Sequence, residues 1–566
     1  MKQRWRLVCA AIFLLSASAF LILTNIEAQA QADNTNQWLV GRVMDSQNQP
    51  VSGAAVSLLA TMDSAPLSEA VSQSDGRYAL AIPPTIPDHL FIHFERAHFK
   101  PDTIELSSNK IAHLNAGETL FLPDEILSRN INPAFWISAL IFVIVLILIA
   151  TGFLHNTLAA LVGASLLFAV SYLDHVLHWD LYVFSFQGSL QYIDWNVIFL
   201  IMGMMIVIAI VENTGIFQWL AFTAYRISGG RTWLLLPTLM LITGIASAFL
   251  DNVTTMLLMT PMTVQIAIAL GINPLSLLLP EVMASNVIGV STLVGTPTNI
   301  LIGSYAHITF NDFLTNLTPG VIMAFIGLVI YSSLVYRKDL AAAHEASPML
   351  MERLAEHGKI TKPKNLMKSG VVGTGMLILF FAGETAHLVP AVTALIGATA
   401  LLVWIRPNIE EMIEAVDWTT LVFFIALFIV VGAVQEVGLI SIIADGIARL
   451  VGESLILTML AVTWMSAILS TIVANIPFTA AMLPVIGFLS ATVPGANSKV
   501  LFYCLSIGSA FGGNGSLIGA SANMVTAGIS NGGGYPITYI YFLKKGMPAL
   551  IITVGLAMIW LLIRFL

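Results

Sequence analysis

The chain has 566 residues, of which 57% are hydrophobic and only 10% are charged. A water-facing surface needs roughly 25% charged residues, so this composition excludes a soluble protein and indicates an integral membrane protein in a lipid bilayer. The net charge of -8 includes no long basic run, so nothing points to nucleic acid as a partner. The two cysteines, Cys9 and Cys504, are too few for a disulfide framework or a metal cluster.

The first segment, residues 1–32, has the pattern of a signal peptide or a signal anchor. Basic residues precede an apolar run at 7–24, and Ala28-Gln29-Ala30 offers a small-x-small cleavage site. Cleavage and retention as an anchor both stay open. Either would place the following residues outside the cytoplasm.

Residues 37–124 predict a small extracytoplasmic β-sandwich. Short runs alternate apolar and polar residues, and turn clusters such as Asp75-Gly76 separate them. The strings GRVMDSQNQPVSGAAVSLL and SQSDGRYALAIP resemble the carboxypeptidase regulatory-like domain, whose members are mostly adhesion or stability modules. If the protein is a membrane-anchored sensing protein, this domain is its active part, and deleting residues 37–124 would test that alternative.

From residue 133 the chain is a series of apolar segments long enough to span a membrane, in two sets. The first set falls in residues 130–336 and the second in 369–566. Between them, the polar segment 337–368 is rich in Lys and Arg, and the positive-inside bias places this linker in the cytoplasm. With the sandwich outside, each half crosses the membrane an odd number of times, so the halves are inverted relative to each other.

The two halves repeat the same signals. Asn252, Pro261 and Gly289 recur as Asn475, Pro484 and Gly512 with an offset of 223 residues. The string GTPTN at 295–299 then recurs as GASAN at 519–523, with an offset of 224. Inverted repeats with interrupted apolar segments at corresponding positions predict a secondary transporter whose site lies between the repeats.

Polar residues interrupt the apolar runs at two places in each half, and these breaks predict the site. A polar group retained in hydrocarbon costs several kcal/mol unless it is paired, so such clusters are functional by default. Unwound segments also free carbonyl oxygens, which suit a small cation, whereas half-helix N-termini favour an anion. The predicted substrate- and ion-binding residues are Asp251, Asn252, Thr254, Thr296, Asn299, Asn475, Asn514, Ser521 and Asn523.

The segments LDNVTTMLLMTP and VANIPFTAAMLP, with VGTPTN and GGNGSLIGASANMV, resemble the ion transporter superfamily, and the match is nearest to its P-protein branch. The resemblance covers residues 130–566. It implies a homodimer with an elevator-like transport unit, re-entrant hairpins with tips at Asn252 and Asn475, and unwound helices at Asn299 and Asn523. These four asparagines are then candidate Na⁺ ligands. Dicarboxylate carriers of the superfamily have Ser-Asn-Thr at both tips, and this chain keeps only the Asn.

Two carboxylates are candidates for ion coupling. Asp251 replaces the neutral Ser of that tip motif, which suits a Na⁺ or H⁺ site better than close contact with a dianion. Glu281 is a second candidate proton carrier, although a position near the interface would explain it equally well. No cofactor is expected besides Na⁺ or H⁺ as the coupling ion.

The sequence therefore predicts a secondary active transporter for a small inorganic or organic anion. A Na⁺/H⁺ antiporter and an arsenite- or anion-channel-like conductance on the same fold are the alternatives. An enzyme is not expected, because the His344-Glu345 pair lacks the second histidine of a metalloprotease motif.

Overall fold

The computed structural model describes residues 37–566 except 47–49, 63, 84, 230, 343–354, 357 and 453. The predicted signal segment, residues 1–32, lies outside the described residues. The chain divides after Ile131 into two compact units, each with its own apolar core.

The first unit contains two β-sheets. Its strands are β1 Trp38–Asp45, β2 Ala55–Leu59, β3 Ser68–Val71, β4 Arg77–Ala81, β5 Phe91–Glu95, β6 Asp102–Glu105, β7 Leu120–Phe121 and β8 Glu125–Leu127, with helix α1 at Ser108–Asn115. One sheet has the order β4-β1-β7, with β8 also paired to β1, and the other has the order β3-β2-β5-β6.

Alternation along the strands produces the core of this unit. In β5, for example, Ile92 and Phe94 are fully buried while their neighbours reach the surface. Gly53 and Gly76 lie in turns with φ of +73° and +79°, where a side chain would be strained. The predicted β-region is therefore present, and its resemblance to the carboxypeptidase regulatory-like domain stays a prediction.

The second unit is helical. Its helices are α2 Pro133–Thr151, α3 Asn156–Leu177, α4 Phe186–Ser189, α5 Trp195–Glu212, α6 Ile216–Ser228, α7 Thr232–Phe249, α8 Asn252–Ala269, α9 Leu275–Gly289, α10 Pro297–Ala306, α11 Phe310–Val335, α12 Arg337–Ala341, α13 Pro363–Ala386, α14 Pro390–Ile405, α15 Ile409–Glu414, α16 Trp418–Glu436, α17 Leu439–Val451, α18 Leu455–Ile472, α19 Asn475–Thr492, α20 Val500–Gly512, α21 Ser521–Gly532 and α22 Tyr539–Phe565. In the described part of the chain, 11 helices are long and apolar enough to cross a membrane.

The two halves of this unit run in opposite directions. Tyr192, which precedes α5, donates a hydrogen bond to Glu436 at the end of the equivalent helix α16. At the other end of this pair, Glu212 of α5 and Asp417 at the start of α16 line one cavity. The equivalent helices are antiparallel, so the repeats are inverted, as the sequence predicts.

Each repeat contains a helical hairpin whose tip lies inside the protein. Helices α7 and α8 turn at Leu250-Asp251, and α18 and α19 turn at Val473-Ala474. The first hairpin starts beside α12, where the Thr232 hydroxyl donates to the carbonyl of Leu340 at 2.7 Å. We call this side, where α11 ends and α13 begins, the linker face. The second hairpin enters from the opposite face because the repeats are inverted. Both tips line the same cavity, so both hairpins are re-entrant.

Helices α9 and α10 form one interrupted span, and α20 and α21 form its counterpart. The interruptions cover residues 290–296 and 513–520, the second of which includes a 3-10 turn. Pro297 begins α10, where its missing N–H costs nothing because the first N–H groups of a helix have no partner. Hairpin helix α8 packs on α21, and α19 packs on α10, so each hairpin supports the interrupted span of the other repeat.

Two short helices connect the spans α5 and α16 to the hairpins. They are α6 and α17, and each begins at a left-handed glycine, Gly215 with φ of +81° and Gly438 with φ of +88°. A left-handed residue reverses the chain direction after the span, which explains why Gly recurs at this position in both repeats. We call α7–α10 together with α18–α21 the inner unit, and α3, α5 and α16 the scaffold helices.

Candidate functional site

A cavity of about 590 Å³ lies between the inner unit and the scaffold helices. It is lined by both hairpin tips, through Asp251 and Ala474, and by the starts of α10 and α21, through Pro297 and Ser521. All four interruptions that the sequence singled out therefore meet at one cavity. We call it the central cavity.

The first hairpin tip carries a carboxylate that caps helix α8. Asp251 Oδ1 accepts hydrogen bonds from the backbone N–H groups of Val253 at 2.9 Å and Thr254 at 3.0 Å. Its Oδ2 accepts a bond of 2.5 Å from the Thr254 hydroxyl. This cap satisfies two N–H groups that the helix leaves without partners, and it places a negative charge at the cavity wall.

The second tip has no such cap. Ala474 stands where Asp251 stands in the first repeat, and no side chain caps α19. Pro477 replaces Thr254, so one of the partnerless N–H groups is simply absent. Helix α21 also begins without a side-chain cap, at Ala520. The second repeat thus presents two half-helix N-termini to the cavity, and their partial positive charge is not offset by a capping side chain.

The paired asparagines Asn299 and Asn523 hold the two interruptions in shape. The Asn299 amide donates to the carbonyls of Val290 and Thr292, both at 2.8 Å. The Asn523 amide donates in the same way to Gly513 at 2.7 Å and Ser516 at 2.9 Å. The equivalence of these carbonyls shows that the repeat offset changes from 223 to 224 inside the interruption. Both asparagines are at most 1% exposed.

Asn286 joins the two repeats, and sequence analysis missed it. Its side-chain oxygen accepts a bond of 2.8 Å from Asn252 Nδ2, and its own amide donates to Asn514 Oδ1 at 3.0 Å and Asn523 Oδ1 at 3.1 Å. The available signal was a lone Asn in the apolar helix α9. Comparison of the repeats could not reveal it, because Ser509 occupies the equivalent position.

The charged side chains at the central cavity are carboxylates. Asp251 comes from the inner unit, and Glu212 and Asp417 come from the scaffold helices near the linker face. Among the described residues that line the cavity, none is Lys or Arg, and His155 is the one histidine. An anion entering this cavity is repelled until protons or a bound cation neutralise the carboxylates.

Glu281 lies apart from the central cavity. It is 0% exposed in the middle of α9, and the Thr243 hydroxyl of α7 donates to its Oε1 at 2.6 Å. Its position is therefore inside the inner unit, and the interfacial placement left open by the sequence does not apply.

A second cavity of about 410 Å³ lies on the face opposite the linker face. Its lining includes Asn196 at the start of α5 and His307 and His387 at helix ends. Ile300 of α10 lines both this cavity and the central cavity. The two cavities are therefore adjacent at this apolar side chain.

The structure divides the predicted site residues into three groups. Asp251, Thr254 and Ser521 line the central cavity. The second group is buried directly behind the tips and interruptions and consists of Asn252, Thr296, Asn299, Asn475, Asn514 and Asn523. Glu281 forms the third group by itself. The asparagine side chains turn inward while their neighbours Val253 and Ile476 face the cavity, and their ligand roles stay predictions.

Inverted repeats, re-entrant hairpins from opposite faces and interrupted spans that meet at one cavity define a multi-pass membrane transporter. The citrate transporter family model matches residues 144–499. The chain belongs to this family.

Relatives agree with this assignment. An uncharacterized transporter of Mycobacterium tuberculosis is 36% identical over 431 residues, which cover 76% of this chain and 98% of that protein. An uncharacterized transporter of Synechocystis is 32% identical over 448 residues, covering 75% of this chain and 96% of that protein. The human P protein is 29% identical over 546 residues, covering 82% of this chain and 64% of the P protein.

Among solved structures, the chain is similar to the YdaH transporter of Alcanivorax borkumensis, described as having an unusual topology. The TM-score is 0.47 at 14% identity, with 76% of this chain and 97% of that chain covered. The family match and the P-protein relative confirm the resemblance to the ion transporter superfamily that the sequence predicts. Since the homologues are transporters, the protein is not an enzyme.

Proposed function

We propose that the protein is a secondary active transporter that carries a small anion or carboxylate together with Na⁺ or H⁺. The observation that carries this proposal is the single cavity lined by both hairpin tips and both interruptions. In an elevator motion the inner unit slides against the scaffold helices and carries this cavity from the linker face to the opposite face. The family description, citrate transporter, supports a carboxylate as one substrate class.

The two repeats supply complementary halves of the binding site. The N-termini of α19 and α21 favour an anion, because no side chain caps them. The Asp251 side and the freed carbonyls beside it favour the coupling cation. An anion and a cation bound together cancel much of each other's charge, which makes coupled transport more favourable than movement of either ion alone.

Uptake into proteoliposomes tests this function. The solutes are citrate, dicarboxylates, arsenite, chloride and aromatic amino acids, with pH and Na⁺ gradients imposed separately. Asn252→Ala and Asn475→Ala are expected to abolish uptake while insertion into the membrane stays intact. Ser498→Ala, a substitution of an exposed residue in a 3-10 turn outside the cavity, is the control. Normal uptake by both asparagine variants would overturn the site.

Exchange of Na⁺ for H⁺ is a second candidate, and the carboxylate lining without Lys or Arg favours it. In that case a pH gradient drives Na⁺ flux in vesicles that contain no organic solute. The same vesicles test a channel-like conductance, which would give a current that follows the membrane potential without ion coupling.

Orientation and assembly belong to the same proposal. The Lys and Arg of the linker support a cytoplasmic linker face and, with it, a sandwich on the outside. A homodimer follows from the resemblance to the superfamily. Orientation is checked by labelling, in intact cells, of a single cysteine introduced into the sandwich. The mass of the purified protein in detergent checks the homodimer.

A further inference from the structure

Glu281 lies in an enclosed group of hydroxyls within the first repeat. Oε1 accepts the hydrogen bond from Thr243 of α7, whereas Oε2 has no hydrogen-bonding partner in the described structure. The hydroxyl of Thr263 on α8 is close to the same carboxyl group, but neither it nor the hydroxyl of Thr260, one turn earlier on that helix, makes a hydrogen bond of normal geometry. Buried polar atoms without partners indicate either an added proton, which would complete a hydrogen bond between them, or a bound ligand.

No described counter-charge accompanies this carboxyl. Helices α7, α8 and α9 contain no Lys, Arg or His. A buried carboxylate without a partner charge costs several kcal/mol, so the group is expected to be neutral.

The charged groups on the remaining elements that pack on α9 have other partners or, as with Lys544, are exposed. Helices α20 and α21 contain no charged residue, although α20 carries the titratable Tyr503 and Cys504. On α11, Asp312 belongs to a capping box with Thr309. The cations of α22 are Lys544, Lys545 and Arg564. Lys545 lies over the Tyr336 ring at 5.5 Å, and Arg564 bonds to Asn316 at 3.3 Å.

The whole group is confined to one repeat. At the 223-residue offset, Thr243, Thr260, Thr263 and Glu281 correspond to Ser466, Leu483, Ile486 and Cys504. The second repeat has thus replaced the carboxyl and two of the three threonines together. A purely structural polar cluster in a duplicated core would more simply be retained or lost in both halves.

We infer that Glu281 binds the coupling proton, in an enclosed site formed with Thr243 and Thr263 and separate from the central cavity. This rests on the proposed function and names H⁺ as the coupling ion. Proton binding converts the carboxylate to the neutral acid, whose O–H on Oε2 donates to the Thr263 hydroxyl. Release returns the carboxylate and a free proton. Glu281 lies eight residues, about 12 Å, before the end of α9 at Gly289, on the linker-face side of the interruption.

Infrared difference spectroscopy of the purified, full-length protein tests the protonation directly and needs no substrate. The wild type is expected to show a protonated-carboxyl band at neutral pH that Glu281→Gln removes. Glu281→Asp should again show a protonated-carboxyl band. Glu410→Gln, at an exposed surface position, should leave the wild-type band unchanged. A band identical in wild type and Glu281→Gln would overturn the inference. Loss of the wild-type band on adding NaCl would also overturn it, in favour of a Na⁺ site.

Transport then tests coupling. With a pH gradient, Glu281→Gln is expected to lose accumulation down to the level of empty vesicles, while solute exchange at equal pH persists. Gln keeps the shape and the bond from Thr243, so the variant should fold. Unchanged pH-driven accumulation would overturn the coupling role. If the wild type moves no solute at all, the proposed function fails, and the infrared result still decides whether Glu281 holds a proton.

Discussion

The two repeats share a backbone plan but differ in where they place polar groups. The first repeat caps its half-helices with Asp251 and Thr296, and the second has Ala474 and Ala520 at those positions. The first repeat buries Glu281 among hydroxyls, and the second buries Cys504. The duplication therefore kept the geometry of a two-sided cavity, and the carboxyl groups of the inner unit lie in the first repeat alone.

The shared features are those that the interrupted backbone requires. Asn299 and Asn523 bond to equivalent carbonyls, and Gly295 and Gly519 allow the chain to approach the hairpin tips. A substitution at one of these shared positions should therefore impair stability and uptake in whichever repeat it is made. A change at a position that differs should affect coupling in the first repeat and substrate binding in the second.

The largest effect is expected for Asn286→Ala. The substitution removes one buried hydrogen bond from each of Asn252, Asn514 and Asn523, and each polar atom left unsatisfied costs about 1–3 kcal/mol. Thermal unfolding in detergent and uptake should both show the loss. Ser509→Ala, at the equivalent position, removes only a bond of 3.4 Å and should cost about 1 kcal/mol or less. Equal losses of stability and uptake in the two variants would contradict the predicted difference between the repeats.

Gly295→Ala and Gly519→Ala should have the next largest effects on stability and uptake. A Cβ at 295 would lie 2.3 Å from the Gly289 carbonyl oxygen, whereas a Cβ at 519 would lie 3.0 Å from Gly513 Cα. Overpacking of this kind costs about 1–3 kcal/mol, and we expect position 295 to be the worse. Melting temperature and uptake measure the difference. Gly528→Ala, where nothing lies within 4 Å, is the control. Wild-type uptake in Gly295→Ala would contradict the close approach.

Asp251→Asn should leave stability almost unchanged, since Asn caps a helix about as well as Asp. It removes the titratable charge, so the dependence of uptake on pH or Na⁺ should change while the order of preferred solutes is kept. Ala474→Asp places a carboxylate on the anion side and should instead raise the KM for an anionic solute. An unchanged ion dependence in Asp251→Asn would count against a coupling role.

Thr296→Ala should have the smallest effect. It removes the capping bond of 3.3 Å from the Asn299 N–H and a bond of 3.0 Å with the Thr298 hydroxyl, each worth about 1 kcal/mol. The expected result is a small fall in melting temperature with uptake largely kept. Thr296→Ser retains the hydroxyl and should behave as wild type. A loss as large as that of Asn286→Ala would mean that Thr296 contacts the ion or the solute.

Much of the fold follows from sequence signals with a simple physical basis. Apolar segments predict spans, Asn and Gly at constant offsets predict paired interruptions, and the alternation at 37–124 predicts strands. The short helices α6 and α17 were not predicted, because a single Gly before an amphipathic stretch does not distinguish a helix from a loop. Which side chains face the cavity was also beyond the sequence. Asn252 turns inward while Val253 lines the wall, a matter of helix rotation.

The sequence by itself determined the membrane location, the duplication, the inversion and the four interruptions, because each depends on composition or on order along the chain. Only the tertiary structure decided that the interruptions meet at one cavity, that Asn286 links the repeats, and that Glu281 is enclosed by Thr243 and Thr263. These facts depend on helices distant in sequence packing against one another. Asn286 and Asn514, for example, are bonded across 228 residues. No local pattern carries that information.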